Sequence, residues 1–183
     1  MDINLENIFQ FVVGFTVLQR IAELFWAKRN EKLLKAKGAK VIPEVNYFFM
    51  VVLHASWLFY LSYVAFYKGY VIQVPQFIIG ITLFFLGQVF RLSAIFTLGS
   101  RWSTRIMILP QVDAIKKGIF RITRHPNYLG VILEIFALPY AVGLLPAALL
   151  FSLLNFLILF FRIRLEEKYL IENNNYRDVY GIQ

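Results

Sequence analysis

Arg121-Ile-Thr-Arg-His-Pro-Asn-Tyr-Leu-Gly130 joins a basic loop to a strongly apolar run. Proline fixes its own φ, lacks an N–H and pushes the preceding residue out of the α region. The chain is therefore expected to turn at His125-Pro126, with a helix starting at Pro126 in its first turn. The unpaired N–H groups of that first turn, with Arg121 and Arg124 beside them, form an electropositive pocket at a membrane surface. Beyond it Leu129 to Leu145 is apolar and interrupted at Pro139, Gly143 to Pro146 reads as a turn, and Ala147 to Phe161 is apolar again. This is the pattern of a tight helical hairpin. Each arm, at about 15–17 residues, lies near the lower limit for crossing a bilayer, and the second gains length by continuing through Arg162-Glu167.

Three further apolar runs precede the hairpin: Ile8 to Trp26, Tyr47 to Tyr67, and Pro75 to about Leu98. Together they predict an all-α integral membrane protein of about five spanning helices. The composition agrees: of 183 residues 59% are hydrophobic, 17% aromatic and only 16% charged, where a soluble domain carries about 25% charge. The basic residues behind the +8 net charge fall in short segments between the apolar runs, as membrane topology requires, so nucleic acid is not the expected partner. Lys28 to Lys40 is one such segment, readable as an interfacial helix ending near Gly38 and serving as a solvated topology anchor. Gly99 to Arg124 is the other, punctuated by Pro110 and Gly118, and a loop of this length in a compact domain is usually functional. Both loops and the basic end of the last helix fall on one side, which predicts the N-terminus out and the C-terminus in the cytoplasm. The acidic start Met1 to Glu6 does not read as a secretory signal.

The chain thus reads as one membrane domain, residues 1–183. Residues 1–98 supply three spans and the basic loop 27–46, and residues 99–183 supply a long loop, the hairpin and a C-terminal helix. That last helix is expected to end at Asn173-Asn-Asn175, and the polar-aromatic Tyr176 to Tyr180 carries no assigned role. Gly80 and Gly87 offer close helix approach in the third span.

Several chemistries are excluded. With no cysteine there is no disulfide, thiolate nucleophile or thiolate metal site, and two histidines, His54 and His125, do not make a histidine-rich metal centre. No G-x-G-x-x-G follows a strand, and no P-loop or Ser-His-Asp pattern is present, so a Rossmann-type methyltransferase is excluded. Charged groups inside the spans remain. Arg20 and Glu23, three apart, can pair. His54 either finds a hydrogen bond in the bundle or touches a substrate. Glu134 lies roughly 10 Å into the membrane from the His-Pro turn. Such a carboxylate is either bonded to Asn155 or Arg91, or acts as general base toward a phenolic or enolic hydroxyl.

At the end of the hairpin stands Arg162-Ile-Arg-Leu-Glu-Glu167, which puts Arg162 and Glu166 one turn apart on one helix face. The combination of Arg-His-Pro-x-Tyr, a helical hairpin and Arg-x-x-x-Glu-Glu resembles the isoprenylcysteine carboxyl methyltransferase family, integral-membrane enzymes that use S-adenosylmethionine. The resemblance is strongest from about Leu98 to Leu170. It implies cofactor contacts at Val112, Asp113, Ala114 and Ile115, at Phe120, at His125, Pro126 and Tyr128, and at Glu166. The family position matching Phe120 is commonly a tyrosine, so only stacking is expected there. Arg162 is implied to face the reacting end and serve the substrate. Outside the core motif, Arg20-x-x-Glu23, His54, Gly99-Ser-Arg-Trp-Ser-Thr-Arg105 and Leu133-Glu134 resemble a small bacterial branch that O-methylates long-chain alkylpyrones and alkylresorcinols. That implies a lipophilic small-molecule acceptor met in the lipid bilayer, a bacterial plasma-membrane location, and Arg162, Glu134 and His54 as catalytic residues. Methyl esterification of a prenylcysteine carboxylate and a non-enzymatic lipid-binding scaffold stand as alternatives.

Overall fold

The computed structural model describes residues 4–182. Met1 to Ile3 of the acidic start, and Gln183, lie outside the described residues. Five long helices and one short one make up nearly all of the fold: α1 (Leu5–Ala36), α2 (Asn46–Tyr63), α3 (Val74–Leu98), α4 (Pro126–Ala141), α5 (Leu145–Asn173) and α6 (Tyr176–Tyr180). Among the described residues four segments are long and apolar enough to cross a membrane, Leu5–Ala36, Asn46–Lys68, Val74–Arg101 and Leu145–Asn173. The protein is an all-α integral membrane protein. The expected fifth span, α4, has 16 residues, or about 24 Å, short of a hydrocarbon core of about 30 Å.

The helix boundaries follow from local chemistry. The Asn4 side chain caps α1 by accepting from Glu6 N–H at 2.9 Å. Lys28 to Ala36 is not a separate interfacial helix, as expected, but the unbroken continuation of α1. Lysine, glutamate and leucine are good helix formers, and nothing interrupts them before Gly38, whose φ of +85° ends the run. His125 sits at φ −128°, ψ 60°, and α4 starts at Pro126. The helix is not interrupted at Pro139 but runs on to Ala141. The carbonyl that this proline leaves without its helical donor belongs to Ile135, and the Trp57 indole N–H bonds it at 3.2 Å. A tight turn at Gly143, φ +76°, then reverses the chain into α5.

Bilayer-facing positions are apolar, with Phe11, Phe25, Phe59, Phe85 and Phe156 all exposed, and the core beneath them packs Phe9, Trp57, Leu61, Phe84 and Leu138. Helices α3 and α4 approach most closely. A Cβ on Gly130 would lie 2.6 Å from the Gly87 carbonyl oxygen, and one on Gly80 2.5 Å from the Ala141 Cβ. Only glycine permits that contact. Two short strands, β1 (Lys40–Val41) and β2 (Met107–Ile108), pair antiparallel and tie the α1–α2 connection to the long loop before α4.

Candidate active site

A cavity of about 370 Å³ opens between the loop region and the helices, within the range of small-molecule sites. Its loop-side wall is built on the start of α4 and the last turns of α5. The Tyr128 hydroxyl donates to Glu166 Oε2 at 2.6 Å and accepts from Arg162 Nε at 2.9 Å. Arg162 and Glu166 share a face of α5, so one tyrosine bridges both. The His125 ring stacks on Tyr128, with centroids 5.4 Å apart and planes 20° from parallel. His125 Nε2 meets Glu167 Oε1 at 2.9 Å, and Arg124 Nη1 meets the same oxygen at 3.0 Å. Glu166 Oε1 has no protein partner among the described residues and is free to accept.

Nine of the residues expected from sequence stand on this cavity: Ala114, Ile115 and Phe120 from the loop; His125, Pro126 and Tyr128 from the turn; Arg162 and Glu166 from α5; and His54 from α2. Three do not. The Val112 carbonyl is captured by the Asn174 side-chain amide. Asp113 accepts from Asn175 Nδ2 at 2.8 Å through its carboxylate and from Arg101 Nη1 at 3.0 Å through its carbonyl. Glu134 is fully buried, and neither Asn155 nor Arg91 is its partner: it bonds Arg20 across the α1–α4 interface. Arg20 lines the cavity and Glu134 does not, so a direct contact between Glu134 and a substrate does not fit this geometry.

Other wall residues were not singled out in the sequence. Tyr176 and Tyr180 of α6 reach the cavity, which makes the unassigned tail part of the site. Tyr180 donates to the Ile115 carbonyl at 2.6 Å, and Asn175 Oδ1 accepts from Ala114 N–H at 2.8 Å. Burial raises the Tyr176 phenol above its ordinary range, with Glu167 adding to it and Arg124 opposing. Glu44 lies behind the wall, its Oε2 2.6 Å from Arg162 Nη1. None of these had a legible signal, because each acts on a partner remote in the chain.

Deeper in the bundle all five long helices contribute to one polar layer. His54, Arg91 and Glu134 each lie roughly 10–12 Å from the loop end of their helices. Glu23 accepts from Arg20 at 3.1 Å and from Gln19 at 2.9 Å, and Arg91 grips the same carboxylate with two nitrogens. Asn155 Oδ1 lies 3.4 Å from His54 Nε2. Charged groups in hydrocarbon persist where they pair or face a cavity; Arg20, Glu23 and Arg91 do both, and Glu134 pairs with Arg20 away from it.

The fold and this site define an integral-membrane protein with a cavity that runs from the loop region into the helices. The sequence matches the isoprenylcysteine carboxyl methyltransferase family over residues 79–172, a stretch that holds the α3–α4 contact, the His-Pro turn and the Arg162–Glu167 run. It is 35% identical over 165 residues to a Bacillus subtilis protein named YpbQ and described as uncharacterized, covering 90% of this chain and 97% of that one. A Haemophilus influenzae protein, also described as uncharacterized, is 31% identical over 150 residues, or 76% of this chain and 81% of the other. No solved structure matches. The chain belongs to the isoprenylcysteine carboxyl methyltransferase family. Its members are membrane methyltransferases that use S-adenosylmethionine.

Proposed function

We propose that this protein is an S-adenosylmethionine-dependent O-methyltransferase acting on a lipophilic, membrane-embedded hydroxylated ring such as a long-chain alkylpyrone or alkylresorcinol. The observation that carries the reading is the continuity of the cavity. One wall is polar and aromatic, around Tyr128, His125 and Glu166, and the other is made of Met50, Ala55, Leu58, Val131 and Leu159 with His54 and Arg20 among them. A charged cofactor suits the first wall and an alkyl-tailed acceptor suits the second.

The residues present fit the cofactor. Glu166 Oε1 is free to accept from ribose hydroxyls, while Ile115 and Phe120 offer apolar walls for an adenine. Arg124 and the open N–H groups at the start of α4 suit a carboxylate. When bound, S-adenosylmethionine supplies an electrophilic methyl group on a sulfonium. The protein's own work is to orient the acceptor and remove its proton. We assign that proton to the His54 ring on the cavity, and the Arg20 guanidinium lowers the cost of ionising the hydroxyl. On this reading the basic loops face the cytoplasm, with the site on that side of a bacterial plasma membrane and the N-terminus outside.

The family name favours a second reading, esterification of a prenylcysteine carboxylate. Calorimetry of S-adenosylmethionine with purified protein in detergent and in nanodiscs, wild type beside Glu166→Ala, tests the cofactor. Micromolar binding lost in the variant supports the enzyme, and no binding by folded wild type overturns it. Methyl transfer to alkylpyrones and alkylresorcinols, compared with prenylcysteines, then separates the two acceptors.

A further inference from the structure

Six arginines line the cavity, and two of them, Arg20 and Arg162, differ in what they have left to offer. Arg20 uses Nη1 on Glu23 and Nη2 on Glu134, its Nε has no partner among the described residues, and its side chain is 19% exposed. Arg162 has every nitrogen engaged: Nε on the Tyr128 hydroxyl at 2.9 Å, Nη1 on Glu44 at 2.6 Å and Nη2 on the Thr104 carbonyl at 2.7 Å. Its side chain is 5% exposed and that of Glu44 3%.

Glu44 is held in that position. Its second oxygen accepts from Ile106 N–H at 2.8 Å. The segment carrying it is clamped by the β1–β2 pairing and by Ile42 N–H on the Ile106 carbonyl at 3.0 Å. Burial raises the Glu44 carboxyl above its ordinary value, with Arg162 and the Ile106 N–H opposing. An acceptor carboxylate that sought the Arg162 fork would have to expel Glu44, leaving a buried carboxylate unpaired, or crowd a second carboxylate against the first. A neutral hydroxyl meets neither cost.

We propose that Glu44 is a specificity-determining residue: by holding Arg162 from behind the cavity wall, it withholds that guanidinium from carboxylates and leaves the site to uncharged hydroxyl acceptors. The inference rests on the reading of this cavity as the acceptor site of a methyltransferase. Glu44 does not itself reach the cavity; it acts through Arg162.

The test is direct binding, in nanodiscs and without cofactor, of a prenylated cysteine carboxylate and its neutral carboxamide. Wild type is expected to bind the two alike. Glu44→Gln, which keeps the shape and frees the Arg162 charge, is expected to bind the carboxylate at least tenfold tighter than wild type. The added change Arg162→Gln is expected to abolish that gain, which a purely structural role for Glu44 would not produce. A wild-type preference for the carboxylate overturns the proposal and needs no variant to be stable. So does a folded Glu44→Gln protein, melting cooperatively, that shows no gain. Failure of the methyltransferase reading appears separately, as loss of S-adenosylmethionine binding by wild type.

Discussion

The Tyr128 hydroxyl donates to Glu166 Oε2 at 2.6 Å across 38 residues of sequence. Through that bond the first turn of α4 fixes a carboxylate near the end of α5, and the Tyr128 hydroxyl oxygen accepts in turn from Arg162 Nε. The tyrosine therefore holds a carboxylate and a guanidinium of one helix face at once.

Tyr128→Phe keeps the ring that stacks on His125 and removes only this bridge. A hydrogen bond to a charged group contributes roughly 1.5–3 kcal/mol, so S-adenosylmethionine affinity is expected to fall about tenfold. Glu166→Ala is expected to weaken it further. Titration calorimetry on both variants checks the order.

Gly130→Ala forces a methyl against the Gly87 carbonyl, where backbone cannot give way. Overpacking of this kind costs about 1–3 kcal/mol. Gly14, on α1, has nothing within 4 Å of an added Cβ, and Gly14→Ala is expected to be neutral or slightly stabilising through helix propensity. Thermal melts in detergent should show the first variant falling and the second holding or rising.

Removing Arg20 strands Glu134 as an unpaired buried carboxylate, a loss of about 3–5 kcal/mol for such pairs. Arg20→Leu alone and Glu134→Leu alone are each expected to destabilise strongly, while the double variant recovers most of the loss. Unfolding of all four proteins in mixed micelles gives the coupling energy, and additive losses would show that the pair does not interact.

Asn175→Ala removes the acceptor of the Ala114 N–H and a tie to Asp113. Amide exchange at Ala114 is expected to accelerate, with S-adenosylmethionine affinity falling severalfold as the 112–115 segment loosens. Exchange mass spectrometry reads the first effect and calorimetry the second. Unchanged exchange would mean that the tail does not hold the loop.

The helices were legible in the sequence because they depend on neighbours in the chain. Apolar runs of spanning length, the His125-Pro126 turn and the four-residue step from Arg162 to Glu166 are local properties of backbone and helix period. The same locality marked the glycines of α3 as contact positions. Where local reading erred, a distant partner was the cause. Pro139 interrupts nothing because Trp57 takes up the carbonyl it leaves free. Val112 and Asp113 turn from the cavity because Asn174, Asn175 and Arg101 hold them. Tertiary packing alone joined Arg20 to Glu134 and Glu44 to Arg162, pairs separated by 114 and 118 residues. A chain with several acids and bases at membrane depth permits many such pairings. Which ones form is set by where the packed helices bring side chains together, since a buried charge must find its partner wherever that packing leaves one.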